Sequence, residues 1–140
     1  MNDLTIRPFL ETDEPEVIML WDLVFPDDPP HNAPAKVIHQ KLGTQRELFL
    51  VGFVGEELLG TVLAGYDGCR GWIYHLAVHP DHRRNGYGRE LMRSAEARLR
   101  ALGCPKINLQ VRAGNGAVTR FYEDLGFAVE ERISLGKRLG

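Results

Sequence analysis

This 140-residue chain has few cysteines and lacks long apolar runs and an excess of one charge, and each of these features excludes a class of protein. The two cysteines, Cys69 and Cys104, form neither a Cys-x-x-Cys pair nor a Cys/His metal-binding spacing, so we expect reduced thiols and no metal site. No segment approaches the ~18 consecutive apolar residues of a membrane span. The 17 Lys and Arg residues nearly balance the 19 Asp and Glu residues, so we expect no nucleic-acid or membrane partner.

The length of the chain predicts one domain over residues 1–140, because two domains of ordinary size would not fit. No internal repeat or low-complexity linker divides the sequence. Its first residues, "MNDLTIRPFLETDE", lack the basic region and apolar run of a secretory signal. We therefore expect a soluble cytoplasmic protein.

The first half of the chain alternates between strand and helix patterns. "LTIRPF" has the alternation of a short strand, and Val17, Leu20, Trp21 and Val24 form the stripe of an amphipathic helix. The prolines of "FPDDPPHNAP" end that helix, and a weaker helix is expected from Ala35 to Leu42. Three strands follow: a hairpin of "ELFLVGFV" and "LLGTVLAGY", and then "WIYHLAV".

The second half adds two helices and three strand-like segments. A long helix after "HPDHRRNGYG" ends near Gly103, and "NGAVTRFYEDLG" reads as a second helix. "KINLQV" is a predicted strand, and "FAVEE" and "RISLGKRL" are a predicted terminal strand pair. The sequence therefore predicts a mixed α/β fold, with a mostly antiparallel sheet of about seven strands flanked by about four helices.

The glycines of "RRNGYGREL" lie directly before the long helix. The first N–H groups of a helix have no internal partners and favour an anion such as phosphate, which Gly86 and Gly88 would let approach closely. Arg83, Arg84 and Arg89 add positive charge. An ordinary turn with a solvated basic surface is the alternative. A Walker loop is excluded because no Gly-Lys-Ser/Thr follows, and the third glycine of a dinucleotide fingerprint is missing.

Two blocks of this sequence resemble those of the GNAT superfamily of acetyl-CoA-dependent N-acetyltransferases. Residues 83–88, "RRNGYG", are similar to its R/Q-x-x-G-x-G/A signature. "VRAGNGAVTRFYEDLGF" is similar to its second block, in which an Asn opens a helix, a Tyr follows seven residues on and a Gly-Phe pair begins the next strand. The element order matches over essentially the whole chain, and several stretches resemble the small bacterial YpeA-type branch.

The resemblance implies acetyl-CoA as cofactor and a sheet with a splayed parallel pair, "WIYHLAV" and "KINLQVR", that holds the pantetheine arm. Asn115 is then a contact to that arm, a plain helix N-cap, or both. The arm lies along Leu76, Ala77 and Val78, and the pyrophosphate lies on the loop made by Arg83, Arg84, Asn85, Gly86, Tyr87, Gly88 and Arg89.

For catalysis the resemblance implies that Tyr122 is the general acid that protonates the departing sulfur, although Tyr122 also fits a helical core stripe. The general base is not assigned, because Gln110 stands where some relatives have Glu. Strand alternation places Trp72 and Tyr74 on one face, where they are candidates for acceptor contact, and His75 on the other, where a packed histidine is favoured over a base.

The acceptor site is expected around the first two helices and the loop between them, together with the loop after the third strand. Asp27, Asp28 and His31 in that loop either attract a cationic amine or belong to a solvated turn. The predicted activity is transfer of an acetyl group from acetyl-CoA, by direct attack through a tetrahedral intermediate, to an amine of a small molecule, amino acid, peptide or protein. The alternatives are a longer acyl-CoA donor and a non-catalytic acyl-CoA-binding module. Relatives often pair, so a homodimer is plausible.

Overall fold

Five strands form one sheet in the order β1-β2-β3-β4-β5 in the computed structural model, which describes residues 3–140. The first four are antiparallel neighbours, and β4 and β5 are parallel. The strands are β1 (Thr5–Pro8), β2 (Phe49–Val54), β3 (Glu57–Tyr66), β4 (Gly71–Val78) and β5 (Ile107–Leu109). The mixed sheet and its parallel pair are as predicted.

Within residues 3–140, four α-helices complete the fold, as expected from the apolar stripes. They are α1 (Glu14–Val24), α2 (Pro34–Leu42), α3 (Tyr87–Ala101) and α4 (Gly116–Asp124). Helix α2 begins one residue before the expected start, at a proline whose missing N–H costs nothing in the first turn. Among residues 3–140, none of the helices has both the length and the apolar content needed to cross a bilayer.

The chain divides into a first unit that ends at Leu109 and a second unit, Gln110–Gly140, and each is described by itself. The second unit contains α4 and no strand, so the prediction of seven strands is wrong. The expected terminal pair, "FAVEE" and "RISLGKRL", is irregular, and Ile133, Leu135 and Leu139 are at least 88% exposed. Strands are stabilised by cross-strand pairs and by burial of one face, and these side chains bury almost nothing. Alternation of apolar and polar residues indicates which side chains would share a face of a strand, but it does not indicate which segment that strand would pair with.

Helices α1 and α2 cover one face of the sheet in the first unit. Phe9 stacks on Phe49 with ring centroids 4.4 Å apart, and Trp21 stacks on the same ring at 5.9 Å. Helix α3 packs on the other face, where a Cβ at Gly60 would lie 2.7 Å from Leu91 Cδ1. Glycine therefore allows α3 to approach β3 closely.

A buried hydroxyl joins α1 to both central strands. Trp21 Nε1 donates to Thr61 Oγ1 at 2.8 Å, and that hydroxyl donates to the backbone oxygen of His75 at 3.0 Å. Thr61 has no exposed surface. The hydroxyl therefore ties a core tryptophan to the middle of β4.

Replacing Thr61 by valine keeps the shape but leaves the indole N–H and the His75 carbonyl without this partner. We expect a loss of about 2 kcal/mol in the free energy of unfolding, because each buried unsatisfied group costs about 1–3 kcal/mol. Thr61→Ser, which keeps the hydroxyl and loses one methyl, is expected to cost about 1 kcal/mol. Urea unfolding measures both, and a valine variant as stable as the serine variant would contradict this role.

Candidate functional site

The glycine-containing loop joins β4 to α3 and is fixed by several hydrogen bonds. His79 N–H donates to Leu59 O at 2.8 Å as β4 ends, and a single 3₁₀ turn follows over Pro80–His82. The side-chain amide of Asn85 donates to His82 O at 3.0 Å. Arg84 and Gly86 then have left-handed backbones, with φ of 68° and 78°. The loop therefore has a defined shape before the helix begins.

The start of α3 has the properties of an anion site. The first helical hydrogen bond runs from Glu90 N–H to Gly86 O, and the N-cap residue Gly86 makes no side-chain cap. The first N–H groups of a helix carry partial positive charge and accept an anion. A Cβ built on Gly86 would meet nothing within 4 Å, so the space beside this glycine is open. Arg83 and Arg84 are exposed beside it.

One edge of β4 has no strand partner beyond its first residues. Strand β5 pairs only with Gly71, Trp72 and Ile73. From Tyr74 to Val78, β4 pairs with β3 on its other side and with no strand toward β5, as far as residues 3–109 are concerned. Backbone polar groups along such an edge can bind an extended, amide-containing ligand as if it were an added strand.

A β-bulge interrupts β4 at His75. Thr61 pairs with Ala77 whereas Leu63 pairs with Tyr74, so His75 and Leu76 together oppose the single residue between them. His75 has a left-handed backbone with φ of 47°. The extra residue reverses the alternation of the strand from that point on.

The bulge corrects the predicted orientation of His75. Tyr74 is paired with Leu63, which packs in the same core cluster as Trp21. The His75 ring lies on Trp21, with centroids 4.6 Å apart, and meets the edge of Phe25 at 5.3 Å. His75 therefore lies on the α1 face, the face of Tyr74. The expectation that the two lie on opposite faces is wrong because it assumed an unbroken strand.

The imidazole of His75 faces a carboxylate from the loop after α1. His75 Nε2 lies 3.8 Å from Asp28 Oδ2, and the two side chains are 14% and 17% exposed. This nitrogen is buried and has no hydrogen-bond partner within residues 3–140. Burial lowers the pKa of His75, and the nearby Asp28 charge partly opposes that shift. The imidazole is therefore neutral near pH 7.

Of the three polar residues predicted in that loop, the structure brings Asp28 to β4, and Asp27 and His31 are exposed. Trp72 is half-buried, and Tyr74 is 54% exposed. Burial, followed by the charge of Asp67, raises the pKa of Tyr74. Sequence reasoning missed the juxtaposition of Asp28 and His75, because no periodic signal marks a bulge.

The second unit contains the other two predicted site residues. Asn115 is the N-cap of α4, and its side chain accepts a long 3.5 Å hydrogen bond from Val118 N–H. The ring of Tyr122 contacts Phe121 and Phe127 edge-on, at 5.1 and 5.7 Å. Burial raises the pKa of Tyr122 to about 12. The hydroxyl of Tyr122 therefore keeps its proton across the physiological range. Gln110, which is also in this unit, hydrogen-bonds the Ser134 hydroxyl.

Comparisons with known proteins show which family and fold this chain shares. The model of the acetyltransferase (GNAT) family matches residues 14–127. An acetyltransferase of Yersinia enterocolitica is 45% identical over 139 residues, which cover 97% of this chain and 96% of that protein. The aminoglycoside N-acetyltransferase AAC(6')-Iy, solved in complex with CoA, has the same fold at 16% identity, with a TM-score of 0.80 over 100% of this chain and 97% of the other. Ard1 of Thermoplasma volcanium is 25% identical, with a TM-score of 0.78 over 91% and 84%.

Proposed function

The chain belongs to the GNAT acetyltransferase family and is an acyltransferase enzyme, and from that premise we propose that it transfers an acetyl group from acetyl-CoA to an amine. The observation that carries this proposal is the open start of α3, reached through the left-handed residues Arg84 and Gly86 and following the unpaired edge of β4. A phosphate group fits the helix start, and an amide-containing arm fits the strand edge.

The cofactor-binding residues follow from these two surfaces. The pyrophosphate accepts hydrogen bonds from backbone N–H groups within residues 84–89, and Arg83 and Arg84 add positive charge around it. The pantetheine arm lies along Leu76, Ala77 and Val78. Asn115, which caps α4, is proposed as a further contact to the arm. Trp72 and Tyr74 are proposed to line the acceptor side.

Acetyl-CoA supplies a thioester whose carbonyl carbon accepts the electron pair of an amine. The protein binds and orients the two reactants, which removes most of the entropic cost of their meeting. A backbone N–H of β4 can stabilise negative charge that develops on the thioester oxygen. Tyr122 is the proposed general acid for the departing sulfur, because its raised pKa keeps the hydroxyl protonated.

The acceptor is an amine of a small molecule, amino acid, peptide or protein. We place the enzyme in the cytoplasm, where acetyl-CoA is available, and a homodimer remains a prediction. Longer acyl-CoA donors would require more room beside the half-buried Trp72 than an acetyl group does.

Thiol release from acetyl-CoA, followed with a disulfide dye, tests the proposed function. The acceptors are benzylamine, spermidine, L-lysine, neamine and a short peptide with a free N-terminus, each compared with a reaction without acceptor. We expect at least one to raise thiol release above the rate without acceptor, and mass spectrometry to show its N-acetyl product. Calorimetry that detects no acetyl-CoA binding at millimolar concentration would contradict the proposal.

A further inference from the structure

Two unfavourable features coincide at His75. A left-handed backbone at a residue other than glycine is unfavourable, and strained residues of this kind cluster at functional sites. A buried nitrogen without a hydrogen-bond partner adds the cost of its lost hydration. The Thr61 hydroxyl and the rings of Trp21 and Phe25 hold the residue in this position. The protein therefore keeps a polar nitrogen oriented and unsatisfied.

The separation of His75 Nε2 and Asp28 Oδ2 matches the distance that one donor nitrogen can bridge. At 3.8 Å the two atoms are too far apart to bond each other directly. A third atom can lie about 2.8 Å from both at once, within ordinary hydrogen-bond range. An ammonium group matches the pair, because the carboxylate attracts its charge and a neutral imidazole nitrogen accepts one of its protons.

The position of His75 along β4 puts His75 and Asp28 next to the expected thioester. If the pyrophosphate lies at residues 84–89, the arm runs back along β4 from Val78 toward Leu76. Its sulfur end, which is farthest from the phosphates, then comes next to His75, one residue or about 3.3 Å further along the strand. An amine held by His75 and Asp28 is therefore beside the carbon that it attacks.

We propose that Asp28 and His75 form the seat for the acceptor's amine, selecting an alkylammonium acceptor and removing its proton. This inference rests on the proposed function. One proton passes from R–NH₃⁺ to His75 Nε2, and the imidazolium is stabilised by the Asp28 carboxylate. The neutral amine then forms the N–C bond as the C–S bond breaks. Tyr122, the proposed general acid, gives its proton to the sulfur, the second N–H proton released by the amine restores the Tyr122 hydroxyl, and His75 returns its proton to solvent.

Few groups around His75 complicate its titration. Helix α1 presents Trp21 and Phe25, neither of which titrates. Strand β3 presents the Thr61 hydroxyl, which is bonded to the His75 carbonyl oxygen. The loop after α1 presents Asp28. Neighbouring Tyr74 has a pKa that is raised from an already high value. A pH profile between 5 and 8.5 therefore reports on His75.

The first test is His75→Asn with the best acceptor from the thiol-release panel. Asparagine tolerates the left-handed backbone and cannot act as a base. We expect acetyl-CoA affinity within about twofold of wild type and kcat/KM near pH 7 about 100-fold lower. The deficit should shrink as the pH approaches the pKa of the acceptor amine, because free amine then arrives from solution. His39→Asn, at an exposed histidine of α2, is the matched control.

Asp28→Asn is expected to raise KM about tenfold for an alkylammonium acceptor, because attraction to the carboxylate is lost. Asp22→Asn, at an exposed carboxylate of α1, should leave KM unchanged. Turnover by wild type together with an unaltered pH profile in His75→Asn would overturn the proposed seat and leave the acetyltransferase assignment standing.

A second test does not require turnover. The ¹⁵N resonances of His75 are followed in the coenzyme A complex during titration with benzylamine, which is an ammonium at neutral pH, and with aniline, which is uncharged. We expect benzylamine to shift the Nε2 resonance in wild type and not in Asp28→Asn, and aniline to shift it in neither. The absence of a benzylamine shift in wild type, or an equal shift by aniline, would overturn the proposal even if no acceptor on the panel is acetylated.

Discussion

Gly86→Glu is expected to weaken acetyl-CoA binding at least about 100-fold, a loss of about 2.8 kcal/mol in binding free energy. Gly86 has φ of 78° at the N-cap of α3, and the space where a Cβ would lie is open. A glutamate there adds a negative charge and a side chain to the proposed phosphate site. The glutamate charge repels the bound phosphate, which the start of the helix otherwise attracts. Calorimetric titration with acetyl-CoA measures the effect.

The matched control is Gly103→Glu, beyond the other end of the same helix. Gly103 also has a left-handed backbone, with φ of 85°, and open space around its Cβ position. Both variants carry similar backbone strain and the same added charge. The helix dipole disfavours that charge at the C-terminal end, so Gly103→Glu should be at least as destabilised as Gly86→Glu. We expect acetyl-CoA affinity of Gly103→Glu within about threefold of wild type. Equal affinities in the two variants would place the cofactor elsewhere.

Tyr122→Phe is expected to lower kcat about 100-fold and to leave acetyl-CoA affinity unchanged, because it removes only the proposed proton donor. The pKa of Tyr122, raised by burial to about 12, keeps the wild-type hydroxyl protonated up to about pH 10. The wild-type rate should therefore not fall between pH 8 and 10 through loss of this proton. Thiol release across that pH range, with the acceptor at saturation, measures the difference.

Tyr66→Phe is the control for Tyr122→Phe, because the Tyr66 hydroxyl donates to Gly68 O within an exposed turn. Its kcat should match wild type. A Tyr122→Phe enzyme with undiminished kcat would show that Tyr122 is a core residue of α4 and that another group, or water, protonates the sulfur. A lower acetyl-CoA affinity in that variant would instead indicate a structural role.

The helices could be predicted from sequence because their signals are local. The stripe Val17, Leu20, Trp21 and Val24 requires only that one face of α1 meet a core, and the prolines after it end the helix whatever lies nearby. The hairpin of β2 and β3 is similarly marked by a short turn that includes Gly55. The glycine loop was recognisable because Gly86 must adopt a backbone that other residues avoid.

Features that depend on distant partners could not be predicted in this way. The pattern of "RISLGKRL" suggested a strand, but pairing depends on another segment that the pattern does not specify. His75 was placed on the wrong face because one extra residue reverses strand alternation and leaves no mark in the sequence. Its approach to Asp28 follows from that bulge and from the packing of α1.

Amide chemical-shift mapping with coenzyme A tests the central claim most directly, because it reports where the cofactor binds in the intact chain. We predict that the largest shifts upon titration occur at Leu76–Val78 and at residues 84–89. No shift at millimolar coenzyme A, or shifts confined to residues outside the loop and β4, would contradict the account.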